Sequence, residues 1–209
     1  MIKPIQTYYN GYHFRSRLEA RWAVFFDALG VSYEYEPEGF WLPNGQMYLP
    51  DFRVKCWGER GNLFNEPFDL WIEVKGELSF DDAERIVEFS GLRFEREETF
   101  IDGEQFWGES AFLVDNPVLI VGNIPSRGHS YDSAELKAYI QPQKNWSTSH
   151  ACMFNYMLID GDYYAAYPAA YKGKFFLWGD DSNYIWNVDE VERAYDKARQ
   201  ARFEHGETP

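Results

Sequence analysis

Cysteine is nearly absent from this chain: Cys56 and Cys152 are the only two among 209 residues. Two are too few for a disulfide framework or a thiolate zinc site, so both are expected to be reduced, buried thiols in a cytoplasmic protein. Long apolar runs are also missing. None approaches the ~20 residues that a membrane-spanning helix needs, which leaves no membrane among the expected partners. The opening Met1-Ile2-Lys3-Pro4-Ile5-Gln6 lacks the apolar stretch of a secretory signal. Positive charge is scarce. Twenty Lys and Arg face 34 Asp and Glu, giving a net charge of -14 and a pI near 4.7. Such a balance excludes a protein that coats nucleic acid by bulk charge.

Aromatic residues, by contrast, are plentiful: 8 Trp, 15 Tyr and 17 Phe make up 19% of the chain. That content argues against intrinsic disorder, and the length favours one domain with a substantial core. The acidity is unevenly placed. Between Gly76 and Ser110 eleven acids face only Arg85, Arg93 and Arg96, so this stretch holds -8 of the -14. It reads as a solvated helix face and loop. Over the first fifty residues Lys3, Arg15, Arg17 and Arg21 nearly balance Glu19, Asp27, Glu34, Glu36 and Glu38. A local site for a polyanion near the N-terminus therefore survives the global charge.

Along the chain, Leu18, Trp22, Phe25, Phe26 and Leu29 form one apolar stripe, predicting a helix from Arg15 to Leu29 that Gly30 stops. Ser16 and Glu19 have the spacing of a capping box. Extended runs follow at Ser32–Glu36, Phe40–Leu42, Met47–Lys55 and Asp69–Lys75, punctuated by Pro37-Glu38-Gly39 and Pro43-Asn44-Gly45. In the last run Leu70, Ile72 and Val74 share one face, and Trp71, Glu73 and Lys75 the other. A second helix is predicted over Asp81–Phe94 with Ser79 as N-cap. Pro117–Val121 reads as a strand covered on both faces. Further on, the pattern suggests a short helix at Ser133–Ile140 and a hairpin of Cys152–Ile159 with Tyr163–Tyr167. Strands at Lys174–Trp178 and Tyr184–Trp186 and a last helix over Val188–His205 complete the reading. The expected fold class is α/β with a mixed sheet: a core over residues 1–125, and an extension over 126–209 packed on it in one compact domain.

Two features carry chemistry: Leu49-Pro50-Asp51-Phe52 entering one strand, and Glu73-Val74-Lys75 ending the next. Carboxylates from neighbouring strands can converge on a hard divalent cation, because magnesium prefers oxygen ligands. Alternation puts Glu73 and Lys75 on the same side, where a lysine can hold, or help deprotonate, a water attacking a phosphodiester. Glu19, on the first turn of the first helix, is placed to face the same sheet. Its capping-box spacing accounts for it equally well without catalysis.

Glu19, Pro50-Asp51 and Glu73-Val74-Lys75, in that order and setting, resemble the PD-(D/E)xK, or restriction-endonuclease-like, nuclease superfamily. The resemblance covers roughly residues 8–122. It is closest in pattern to the junction-resolving and transposon-end branch, whose "YxPDF" strand is similar to Tyr48-Leu49-Pro50-Asp51-Phe52 here. It implies a helix, three-strand meander, helix and fourth strand (αβββαβ), with a C-terminal hairpin and helix as elaboration. It also implies Asp51, Glu73 and the Val74 carbonyl as ligands of Mg2+, with Mn2+ as substitute, Lys75 as catalytic lysine and Glu19 as the helical acid. The activity implied is endonucleolytic hydrolysis of DNA to a 5'-phosphate and a 3'-hydroxyl. Two alternatives stay open: a catalytically inactive binding or interaction module on the same scaffold, and an RNA-directed nuclease.

Tyr12, His13, Arg15, Arg17 and Arg21 interleave aromatic and basic groups around the first helix, which suits phosphate contact and base stacking. A partly buried aromatic arm with ordinary surface arginines fits the same residues. A homodimer or protein partner is compatible with the pattern. His150 and Cys152 lack the further ligands of a transition-metal site.

Overall fold

The computed structural model describes residues 5–57, 67–91, 93–101, 104–113, 115–124, 167–171, 173–178 and 188–203. Strands β1 (Thr7–Tyr9) and β2 (Tyr12–Phe14) form a hairpin in the stretch read either as a strip for nucleic-acid contact or as a partly buried aromatic arm. Asn10 and Gly11, at φ 46° and 85°, turn the chain between them. Helix α1 (Arg17–Ala28) starts at N-cap Ser16, whose side chain accepts the Glu19 amide, and Gly30 follows at φ 66°. Its apolar stripe is buried, with Trp22, Phe25 and Phe26 inaccessible or nearly so.

Strand β3 (Tyr33–Tyr35) leads into a small hairpin of β4 (Phe40–Trp41) and β5 (Met47–Tyr48), closed over Pro43-Asn44-Gly45 with Gly45 at φ 81°. The expected single run over Met47–Lys55 is interrupted at Leu49-Pro50-Asp51, and β6 spans Phe52–Trp57. Strand β7 (Phe68–Val74) is followed by helix α2 (Phe80–Ser90). Ser79 and Asp82 cap α2 reciprocally, and Gly91 at φ 65° ends it well before Phe94. A left-handed residue cannot continue a right-handed helix, and glycine enters that conformation without steric cost.

The acidic stretch is corrected accordingly. Beyond α2 it forms an antiparallel hairpin of β8 (Arg93–Ile101) and β9 (Glu104–Leu113), with an irregularity between Arg96 and Glu98. Strand β10 (Val118–Val121) follows. In the C-terminal portion, β11 (Tyr167–Tyr171) pairs with β12 (Lys174–Trp178), and α3 spans Val188–Gln200. The hairpin partner of Lys174–Trp178 is therefore Tyr167–Tyr171, and the last helix stops short of His205. The elements expected at Ser133–Ile140, Cys152–Ile159, Tyr163–Tyr167 and Tyr184–Trp186 lie wholly or largely outside the described residues.

The central sheet has the order β10-β7-β6-β12-β11, with β3 also paired to β6. Strands β3 and β7 each run antiparallel to β6, whereas β10 is parallel to β7 and β12 parallel to β6. The described part of the C-terminal portion thus continues the same sheet. One sheet face buries Phe52, Val54, Leu70, Ile72, Val74, Leu119 and Val121 against α1 and α3, where Phe25 stacks on Tyr195 at 4.7 Å. On the other, Trp71, Val118 and Ile120 meet α2 and the β4–β5 hairpin through Phe89 and Tyr48. The alternation of β7 and β10 between two covered faces explains their nearly continuous apolar sequences. The protein is a mixed α+β fold. Among the described residues no helix is long and apolar enough to cross a membrane.

Candidate active site

The antiparallel register pairs Phe52 with Ile72, so Asp51, immediately before β6, lies beside Glu73 near the end of β7. Both carboxylates are almost fully enclosed, at 2% and 3% exposure, and Glu19 reaches the same region from α1 at 6%. Burying charge is costly unless it is paired and hydrogen-bonded. Each of these carboxylates meets that requirement within the chain.

Glu19 accepts from the Tyr35 hydroxyl at 2.6 Å, the Arg15 amide at 3.0 Å and the Ser16 hydroxyl at 2.8 Å. The Arg15 amide stands where a capping box would use that of Ser16, so the side chain reaches one residue further back. Asp51 accepts from the Val74 amide at 2.7 Å and from the Arg15 guanidinium. Glu73 accepts from the Tyr48 hydroxyl at 2.8 Å and pairs with the Lys75 ammonium at 2.8 Å. All the oxygens of the three carboxylates are therefore engaged.

The electrostatics reflect this crowding. Burial, then Glu73 and Glu19, push the Asp51 carboxyl up to about 8, against the opposing pull of the Val74 amide and Arg15. Burial alone would lower the pKa of Lys75, but Glu73, Asp82 and Asp51 outweigh it and the net shift is upward. Lys75 is consequently an ammonium at neutral pH. Burial and the Glu73 carboxylate likewise push the Tyr48 hydroxyl far up, keeping it a donor.

Lys75 also faces Asp82 on α2 at 3.4 Å, and Asp82 pairs with Arg85 at 2.7 Å. The residue that caps α2 thus helps to place the lysine. Glu36 is a further member. Its carboxylate lies 2.6 Å from Arg15 Nε, and its backbone is at φ 45°, a strained conformation for a residue with a side chain.

Glu19, Asp51, Glu73 and Lys75 are thus gathered in one place, with the Val74 amide bonded to Asp51. The five residues expected to contact nucleic acid do not share one set of partners. Arg15 belongs to the carboxylate cluster, while Arg21 Nε donates to the Ala201 carbonyl beyond α3 at 3.4 Å. The Tyr12 ring is half-buried near Phe14, Tyr33 and Tyr35, and the exposed His13 lies against Tyr8 at 4.8 Å. Arg17 is half-buried on the first turn of α1.

Tyr35, Tyr48, Glu36 and Asp82 went unread in the sequence. Tyr48 had a usable signal, being three residues before Asp51 within the motif, whereas Tyr35 and Glu36 are joined to the cluster only by folding.

Among the described residues no group of three or more His, Cys, Asp or Glu is arranged as it stands to hold a metal ion. Each carboxylate is turned toward its own partner. No protein-family model, no curated protein and no solved structure matches the chain.

Proposed function

We propose that the protein is a divalent-metal-dependent endonuclease of the PD-(D/E)xK, restriction-endonuclease-like type, acting on DNA. The observation that carries this reading is the convergence of Asp51, Glu73 and Lys75 at adjoining strand ends, with Glu19 reaching in from α1. The succession α1, β3, β6, β7, α2, β10, with β10 parallel to β7, supports it as well. The hairpins β4–β5 and β8–β9 are insertions in that succession.

The donors suit a hard cation. Asp51 and Glu73 offer oxygen only, and burial, then the neighbouring Glu73 and Glu19, raise the pKa of Asp51. These two carboxylates and the Val74 carbonyl would hold Mg2+, or Mn2+ in its place. When bound, the ion would supply charge to phosphate oxygens and acidify water. Lys75, a protonated ammonium between Glu73 and Asp82, is suited to hold the attacking water or donate to a phosphate oxygen. Glu19, fixed by Tyr35 and Ser16, would accept a hydrogen bond from that water. In-line attack of that water on phosphorus would form a P–O bond and break the P–O3' bond, the water giving up a proton to solvent and the 3'-oxygen taking one up, leaving a 5'-phosphate and a 3'-hydroxyl.

The test uses Mg2+ or Mn2+ with linear, supercoiled, branched and single-stranded DNA, and with RNA. Metal-dependent cutting is expected, falling at least about 100-fold in Glu73→Ala and Lys75→Ala. Cutting that survives both substitutions refutes the site, and cutting of RNA alone moves the substrate. The second reading, an inactive binding or interaction module, draws on the net charge of -14 and on carboxylates already satisfied internally. Absence of any cutting, together with binding to a protein partner, would favour it.

A further inference from the structure

We propose that the Arg15 guanidinium is the resident hydrogen-bond partner of Asp51, and that it must leave Asp51 before a divalent cation can bind there. On this account it swings to the mouth of the site, where a substrate phosphate would lie. The inference rests on the nuclease reading and deepens it by making metal binding the event that frees a phosphate-seeking arginine.

Of the groups bonded to the three carboxylates, Arg15 is the one built to depart. The Val74 amide is fixed in a central strand, and Tyr48 is buried at 7% exposure among Phe89 and Trp71. The Arg15 side chain is 52% exposed, so its charged end can return to water at low cost. Its main chain does not need to move. The Arg15 amide is anchored to Glu19 at 3.0 Å and to the Tyr35 hydroxyl at 3.0 Å, so exchange requires only rotation of the side chain.

Glu36 gives the departing guanidinium somewhere to stay. Its carboxylate lies 2.6 Å from Nε, and its side chain is 24% exposed against 3% for Asp51. The Glu36 amide donates to the Asp51 carbonyl at 2.9 Å, which ties this second holder to the strand entry. The strained φ of 45° at Glu36 is held in place by that bond. Charge favours the exchange, because a divalent ion offers Asp51 and Glu73 twice the charge of one guanidinium. The released guanidinium is a planar donor fork, a shape that fits phosphate better than an ammonium does.

The test measures Mn2+ affinity of the full chain by titration calorimetry and by loss of the free-Mn2+ EPR signal. The variants are Arg15→Gln, Arg15→Lys and, as a charge-matched control, Arg53→Gln, which alters a cation two residues from Asp51 that bonds other carboxylates. Arg15→Gln is expected to bind Mn2+ about tenfold more tightly than the parent, as loss of a charge-assisted competitor predicts. Arg53→Gln should leave affinity near the parent value. Arg15→Lys should be intermediate, and it retains a positive charge should Arg15→Gln melt too low to assay. Equal affinity in parent and Arg15→Gln overturns the displacement. Equal tightening in Arg15→Gln and Arg53→Gln overturns it too, since a general field would be responsible. In both cases Mn2+ binding that disappears in Asp51→Asn leaves the nuclease reading standing. No Mn2+ binding in any variant overturns both.

Discussion

At Asp51, burial and the neighbouring Glu73 and Glu19 oppose ionisation, while the Val74 amide and Arg15 favour it. The net result is a carboxyl near pH 8 rather than near 4, and this has a definite consequence for metal-free stability. A group that binds its proton more tightly when folded contributes stability that is complete below its unfolded pKa, here about 4. That contribution is lost as the pH rises through about 8. In EDTA the protein should therefore melt at a lower temperature at pH 8.5 than at pH 6, by a margin that shrinks in Asp51→Asn. A profile that is flat or rising over that interval in the parent would contradict the assignment. Asp82 works in the opposite sense and in another window. Burial raises its pKa, but Ser79, Lys75 and Arg85 outweigh it, so its stabilisation fades only as the medium becomes strongly acidic. The four residues Glu19, Asp51, Glu73 and Lys75 were legible because strand alternation and helix position are local properties. Tyr35 and Glu36 were not, because nothing in Tyr35-Glu36-Pro37 shows that folding brings it against Arg15.

Among the elements, those with strong periodicity were readable, as was the Pro43-Asn44-Gly45 turn between β4 and β5, while two other hairpins were missed. The stripe of α1 and the alternation of β7 follow from sequence. The hairpins β1–β2 and β8–β9 were overlooked although Asn10-Gly11 and Asp102-Gly103 stand between their strands, and Asx-Gly between extended runs is a strong hairpin signal. In β1–β2 the strands are only three residues each, too short for a period to emerge. In β8–β9 the acids obscured the alternation. A close approach of two turns is likewise invisible in sequence. Gly173, at φ 74°, packs so tightly on the end of α1 that an added Cβ would lie 2.8 Å from the Gly30 carbonyl oxygen. Gly173→Ala should destabilise the protein by about 1–3 kcal/mol through strain and collision. Urea denaturation would show it, and an unchanged midpoint would mean that the β11–β12 turn does not dock there.

For the whole molecule, a net charge of -14 sets the terms of any contact with nucleic acid. Arg15, Lys75, Arg85 and Arg53 are paired to carboxylates, so long-range attraction of a polyanion is weak and easily screened. The expected behaviour is negligible retention of DNA at physiological salt in EDTA, with binding that appears on adding a divalent ion that does not support cutting, such as Ca2+, and declines with rising salt. Mobility-shift titration at two salt concentrations measures this. Tight binding in EDTA would show that a basic surface exists elsewhere in the chain.

Sequence alone determined the character of this protein's parts. Aromatic content made a core affordable, periodicity placed the first helix and the central strands, and alternation put Glu73 and Lys75 on one side of β7. These are consequences of backbone geometry acting over a few residues. Only the tertiary structure decided which groups hydrogen-bond the buried carboxylates. It brought Tyr35 to Glu19, Tyr48 to Glu73 and the Arg15 guanidinium to Asp51, across separations of 16, 25 and 36 residues. Those partners are chosen by the cost of leaving buried charge unpaired, which acts through space and leaves no periodic trace in the chain.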